Sequence, residues 1–442
     1  MKRLDDLRWE ITDPALERLN IARTRLNVDS DFHDYHTTET DTKRILINPL
    51  TIERIRRRIR DIKKQIESVN PQTNFDRIVL MDIKDTVHAL DIYHAYFNPR
   101  DVDDAFENGI HFSHVLSALF GSDVYGRGVY TTILDMIREI DYKTHERYTG
   151  MRYKFDKTAF DHHLERIREK ARELLPGVID IVKSFIKEIG ICDQDSEKFL
   201  VELAPITDDC HSYSIGMNYL TLDASGFQFQ KSGDRTKVYM DIIYLVALHE
   251  YGHRLQEFLA ERALPYGTHS SSDTRNELIH GPASEATSMM LEKMSLSWLA
   301  ENKKHAGLTN RDIELMKMYK ALYIPSRLID ICHHIFEQKQ HESQGEFNAH
   351  LELAKLTKMA RYYTDPNILT DIEVMPTLED INYIMGHVFL NKFLKELRGE
   401  YGTGFVRKNM PVIMKGMLIS SDFRPDAFRE FMLTEYFPKT LD

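Results

Sequence analysis

The segment IIYLVALHEYGHRLQEFL, residues 242–259, constrains the fold of this chain more than any other part of it. An apolar run that must be buried leads directly into His249, Glu250 and His253. Nothing breaks a helix there until Pro265 and Gly267, so a helix is predicted over about Tyr239–Leu264. Residues four apart on a helix differ by about 40° around the axis. His249 and His253 therefore project from one face a single turn apart, where two imidazole nitrogens reach one tetrahedral Zn²⁺. Glu250 is rotated by about 100° from His249. It flanks such a metal without ligating it, and it is placed to take a proton from water held there.

A hydrolytic zinc site needs a third protein ligand and one open position. No H-x-x-G-x-x-H extension follows, the next histidine being His269, so a glutamate on a following helix is expected. The candidates are Glu257, Glu261, Glu277, Glu285 and Glu292. Glu257 and Glu261 lie on the motif helix and point along it, and Glu277 sits in or beside a polar loop, Thr268–Asn276. Glu285 is favoured. It falls in the first turn of a helix predicted from Pro282 to about Asn302, where Ala283, Ser284 and Ala286 allow close packing. The ligand set also suits Mn²⁺ or Co²⁺.

The rest of the chain reads as mainly α. Only 20 glycines and 14 prolines punctuate 442 residues, which favours long helices over a sandwich or barrel. Helical patterns are predicted for Ala15–Leu26, from Asn48-Pro49 to about Val69, and across Ile78–Phe97, Phe112–Phe120, Tyr130–Ile140 and Phe160–Ile189. Around His211–Asp223 the period changes to two. Tyr213, Ile215, Met217 and Tyr219 alternate with smaller polar residues, as in a half-buried strand, and Ser232-Gly233-Asp234 supplies turn chemistry. The expected architecture is a small β-sheet beside the motif helix, with a substrate channel between helical lobes. An N-terminal helical lobe would span 1–195 and a catalytic lobe 196–442.

A net charge of −11 without a long basic run argues against a nucleic-acid partner. The short run Arg54–Arg60 is interrupted by Ile55 and Ile59 and reads as the solvated side of a helix. The most apolar window, Ile242–Leu248, is too short to span a bilayer, so no membrane partner is expected. Cys192, Cys210 and Cys332 are far apart and show no CxxC spacing. With charges where a signal peptide needs apolar residues, this points to a cytoplasmic protein.

Around these residues the sequence resembles a known family. Glu285-Ala-Thr-Ser-Met-Met-Leu-Glu292 resembles the E-x-P-S-Q-x-x-E segment of the thimet oligopeptidase and oligopeptidase F family, and His249-Glu-Tyr-Gly-His253 looks like its HEFGH motif. Tyr383-Ile-Met-Gly386-His-Val-Phe389 is similar to a helical segment of these and related gluzincin peptidases, and the tail from Gly404 through Pro425 to Phe431 looks like the closing helices. Thr287 and Met289 replace the motif's proline and glutamine, and the spacing from His253 to Glu285 calls for an insertion within Thr268–His280. The resemblance implies a divergent zinc metallopeptidase acting on oligopeptides. It implies Glu285 as third zinc ligand, Glu250 as general base and Tyr383 as donor to the oxyanion, with His387 one turn beyond as a possible helper. The strand at His211–Asp223 could pair with an extended peptide substrate. Two other readings stay open: a helical binding or scaffolding protein that keeps a zinc site, and a zinc hydrolase of a non-peptide amide.

Overall fold

The structure is a computed structural model that describes residues 49–96, 173, 176–191, 200–203, 213–215, 219–222, 228–232, 235–239, 243–264, 281–317, 320, 378–421 and 423–440. Expectations for Ala15–Leu26, Phe112–Phe120, Tyr130–Ile140 and the Thr268–His280 insertion lie outside these residues. The described part is mostly helical. Its helices are α1 (Pro49–Glu67), α2 (Asn74–Tyr96), α3 (176–188), α4 (Ile243–Ala263), α5 (Gly281–Glu301), α6 (310–317), α7 (Leu378–Tyr401), α8 (Thr403–Lys408), α9 (Met410–Ser420) and α10 (Pro425–Phe431). None of the described helices is long and apolar enough to cross a membrane.

Local chemistry explains several boundaries. Thr73 and Asp76 cap α2 reciprocally: Thr73 N–H donates to Asp76 Oδ2 at 3.0 Å, and Asp76 N–H donates to Thr73 Oγ1 at 3.0 Å. Thr309 and Asp312 repeat the device at α6. On α1 the isoleucines Ile59, Ile62 and Ile66 are buried while Arg57, Arg58 and Arg60 face solvent, so this basic run is an exposed helix face.

Five short strands are described: β1 (Leu200–Leu203), β2 (Tyr213–Ile215), β3 (Tyr219–Leu222), β4 (Gln228–Ser232) and β5 (Arg235–Tyr239). Two of them correct the sequence reading. The alternation in His211–Asp223 belongs to two strands, with Tyr213 opposite Thr221 and Ile215 opposite Tyr219. A period of two runs unchanged through both arms of a hairpin, so alternation alone does not reveal the reversal. Likewise α4 starts at Ile243 and not at Tyr239, because Arg235–Tyr239 pairs antiparallel with Gln228–Ser232. β1 joins β3 in parallel to complete a three-stranded sheet of order β1-β3-β2, and β2 and β3 approach α4.

Helix α5 is the centre of the described fold, packed against α4, α7, α9 and α10. Ala283, Ala286, Thr287, Ser288, Leu291 and Ser295 are all fully buried, so little of its circumference meets water. Small residues on such a helix let neighbouring backbones approach. Two glycines complete the fit. A Cβ on Gly252 of α4 would stand 2.9 Å from Ser288 Oγ and 3.3 Å from Ser288 Cα. A Cβ on Gly386 of α7 would meet Glu285 Cβ at 2.9 Å and the backbone atoms Ala286 N and Pro282 O at 3.0 Å. Glycine costs a helix interior about 1 kcal/mol relative to alanine, and the close crossings give the reason for that cost here.

The C-terminal helices and α2 share an aromatic core in which Phe428 lies edge-on to Phe389 and Phe393, at 5.0 and 5.3 Å. Arg424, with no exposed surface, sits here among Asp82, Asp85 and Asp426, and its backbone N–H donates to Asp82 Oδ1 at 2.8 Å. Burial pushes the Asp85 carboxyl up to about 6, against the pull of Arg424.

Two predictions follow from this packing. Gly386→Ala meets backbone that cannot step aside, so it should lose about 1–3 kcal/mol despite alanine's better helix propensity. Gly252→Ala, which meets chiefly a side-chain oxygen, should lose less. Urea unfolding of both variants measures this, and an equally stable Gly386→Ala protein would refute the close crossing. For Asp85, a raised folded-state pKa means that the folded chain holds the proton more tightly. The stability this confers is present below the unfolded value of 3.8 and is lost as pH rises through about 6. Asp85→Asn should therefore match the natural chain near pH 4 and exceed it in stability at pH 7; the opposite order in urea titrations would be a failure.

Candidate metal centre

Helix α4 is positioned before its histidines contribute anything. Ile243, Tyr244, Leu245, Ala247 and Leu248 are buried, and Tyr244 O–H donates to the Ala306 carbonyl at 2.6 Å. This ties the start of α4 to the turn that follows α5. Trp298 on α5 donates to Glu188 Oε2 at 2.6 Å and meets the Phe185 ring at a tilt, centroids 5.6 Å apart, which fixes α5 against α3. Two long helices are thus held rigidly side by side.

Where they face each other, α4 contributes His249, Gly252, His253 and Gln256, spaced by three and four. Helix α5 contributes Ser284, Glu285, Ser288 and Glu292 on a matching stripe. The structure brings His249, His253 and Glu285 together, one ligand atom from each lying within 4.8 Å of the others. His249 Nε2 is 3.0 Å from His253 Nε2 and 3.1 Å from Glu285 Oε2, and His253 Nε2 is 3.5 Å from Glu285 Oε1. Donors at zinc bond lengths in a tetrahedral shell are separated by about 3.3 Å. Glu285 Oε2 is buried and receives no well-aligned hydrogen bond. Two ring nitrogens and an under-satisfied carboxylate oxygen, converging at this spacing, fit a divalent cation such as Zn²⁺.

The far side of each ring is held as well. His249 Nδ1 lies 2.6 Å from Glu292 Oε1. Glu292 Oε2 in turn lies 2.6 Å from Lys320 Nζ. His253 Nδ1 is 2.9 Å from Ser284 Oγ, which donates to Gln256 Oε1 at 2.6 Å. The Gln256 amide completes the brace, its Nε2 donating to the Ser284 carbonyl at 2.9 Å. Such partners fix ring orientation and tautomer and leave Nε2 as the ligand atom.

Electrostatics at the site follow from burial opposed by charge. Burial pushes His249 down, but Glu285 and Glu292 override it and hold the imidazole well above its ordinary range. Burial also lowers His253, to about 4, with His249 adding to the effect against Glu285. Burial would raise Glu285, yet His253 and His249 hold it below the usual carboxylate range. The two carboxylates that flank His249 thus favour positive charge at the site.

The other sequence candidates distribute as follows. Glu250 is on α4 and buried. Tyr383, on α7, places its ring 5.6 Å from that of His249, so the three helices α4, α5 and α7 meet here. Glu292, a rival third ligand from sequence, stands behind His249 instead. His387 Nε2 accepts from Asn391 Nδ2 at 2.9 Å, and burial, then Lys320 and Lys293, lower its pKa to about 4. Glu277, His269, His333, His334 and His341, and the side chains of Glu257 and Glu261, lie outside the described residues. Sequence reasoning missed Lys320 and the brace of Gln256 and Ser284. The spacing of seven between Glu285 and Glu292 was the available signal, since it puts both carboxylates on one face.

No family model matches the chain, and no curated protein matches it. Among solved structures, it is similar to Trypanosoma cruzi metallocarboxypeptidase 1, at 11% identity and a TM-score of 0.43 over 99% of this chain and 98% of that one. A lipoprotein of unknown function from Shewanella oneidensis matches at 13% identity and a TM-score of 0.40, over 95% of this chain and 82% of that one. Pyrococcus furiosus carboxypeptidase matches at 11% identity and a TM-score of 0.35, over 99% and 98%. The functional reading therefore rests on the geometry of the site.

If Glu285 is a ligand, zinc at 100 times its Kd should stabilise the natural chain by about 2.7 kcal/mol. Glu285→Gln should lose most of that gain in thermal scans, and an undiminished gain would remove Glu285 from the ligand set.

Proposed function

We propose that this chain is a zinc-dependent metallopeptidase of the HExxH, gluzincin type that hydrolyses oligopeptides. The observation that carries the reading is the convergence of His249 Nε2, His253 Nε2 and a Glu285 oxygen that receives no well-aligned hydrogen bond, on the helix face next to the buried Glu250. A non-catalytic staple needs the three ligands but has no physical use for a carboxylate at position 250. The resemblance of Glu285–Glu292 and of Tyr383–Phe389 to thimet oligopeptidase segments supports the peptide substrate.

His249, His253 and Glu285 would hold the metal. When bound, it supplies Lewis acidity, lowering the pKa of water and polarising the scissile carbonyl. Glu250 takes the proton of the attacking water and delivers it to the departing amine. Tyr383, beside His249, donates its phenolic hydrogen to the oxyanion that forms on the carbonyl, a role worth a few kcal/mol, roughly, in comparable sites. Ser284 and Gln256 keep His253 in register during turnover, and Glu292 does the same for His249. Substrates enter a channel between helical walls, which admits extended peptides and excludes folded proteins.

Glu250→Gln should bind zinc like the natural chain and lose roughly 100-fold or more of its cleavage of a mixed peptide library. Mass spectrometry of the digests and metal analysis of the same sample check both halves. Undiminished cleavage by this variant would end the proposal.

A further inference from the structure

Lys320, Glu292 and His249 form a continuous chain of contacts that leads to the imidazole facing Glu285. Lys320 Nζ is 2.6 Å from Glu292 Oε2, and Glu292 Oε1 is 2.6 Å from His249 Nδ1. The side chains are 15%, 7% and 8% exposed, so water screens neither contact strongly. Glu292 and Glu285 lie on one stripe of α5, and both address the same imidazole from opposite edges.

We propose that Lys320 is a positioning residue of the metal centre: its ammonium locks the Glu292 carboxylate onto His249 Nδ1, so that Nε2 faces the metal and Glu292 stays out of the ligand shell. This inference rests on the reading of His249, His253 and Glu285 as the metal ligands. A carboxylate bound at one oxygen only could rotate about its terminal torsion, which is a soft one. A second contact, to a cation, fixes the plane of the carboxylate and with it the plane and tautomer of the ring. Lys320 also decides between two carboxylates of the same charge within reach of one imidazole. Glu292 is spoken for on both oxygens, whereas Glu285 keeps an oxygen that receives no well-aligned hydrogen bond. Lysine suits the task because its compact ammonium reaches a single oxygen of a buried carboxylate.

The test is zinc affinity, by competition with a chromophoric chelator, together with the visible spectrum of the Co²⁺-loaded chain. Lys320→Met should weaken zinc binding by about 10- to 100-fold, the usual range for partners behind a metal ligand. It should also alter the Co²⁺ bands, as the His249 ring loses its fixed plane. Lys320→Arg should restore most of the affinity. The double variant Lys320→Met with Glu292→Gln leaves no unpaired buried charge, so it folds even if the single Lys320→Met variant does not. If Lys320 acts through Glu292, the double variant binds zinc as well as Glu292→Gln alone. A double variant weaker than Glu292→Gln by the full effect of losing Lys320 overturns the inference. So does a folded Lys320→Met protein with the natural affinity and spectrum. Failure of the natural chain to bind zinc would overturn the metal reading itself, which separates the two outcomes.

Discussion

The close approach of α4 and α5 at Gly252 and Ser288 is the constraint on which the rest of the site depends. A Cβ at position 252 would stand 2.9 Å from Ser288 Oγ and 3.3 Å from Ser288 Cα, so glycine lets the two backbones settle at this distance without displacing the serine side chain. His249 and His253 belong to one helix and Glu285 to the other. A helix displaced by a methyl group would carry Glu285 away from both imidazoles together. Gly386 applies the same logic from the opposite side, since α7 rests on the backbone at Pro282 and Ala286 beside Glu285. Metal-site geometry tolerates displacements of only about half an ångström, and backbone packing supplies that tolerance more reliably than flexible side chains.

Within this frame, the two histidines receive different support. His249 lies between carboxylates, with a cation behind one of them, whereas His253 is braced by a hydroxyl and an amide. The asymmetry makes His249 the more basic ring and leaves His253 neutral. Metal binding at such a site releases protons and strengthens as pH rises.

Much of this was legible beforehand. The apolar lead-in and the spacing of His249, Glu250 and His253 defined a helix with two imidazoles on one face, because helical periodicity is a local property of the chain. The helix over Gly281–Glu301 and the candidacy of Glu285 came from Pro282 and the small residues around it. Strand organisation was less legible. Tyr213 and Tyr219 alternate in phase although they lie in different strands, and Tyr239 was assigned to a helix when its backbone pairs with Gln228. Strand partners are set by contacts that local pattern does not encode.

By itself, then, the sequence determined which residue types were available for chemistry and which of them shared a helical face. Tertiary structure alone decided their roles. Glu285 and Glu292 are identical side chains on one stripe, and only packing gives the first an oxygen that receives no well-aligned hydrogen bond and the second an imidazole on one side and Lys320 on the other. Tyr383 and Lys320 lie far along the chain from His249, and no periodicity links them to it. They reach the site because α7 packs against α5 and Lys320 lies against Glu292, and packing is a property of the whole folded chain.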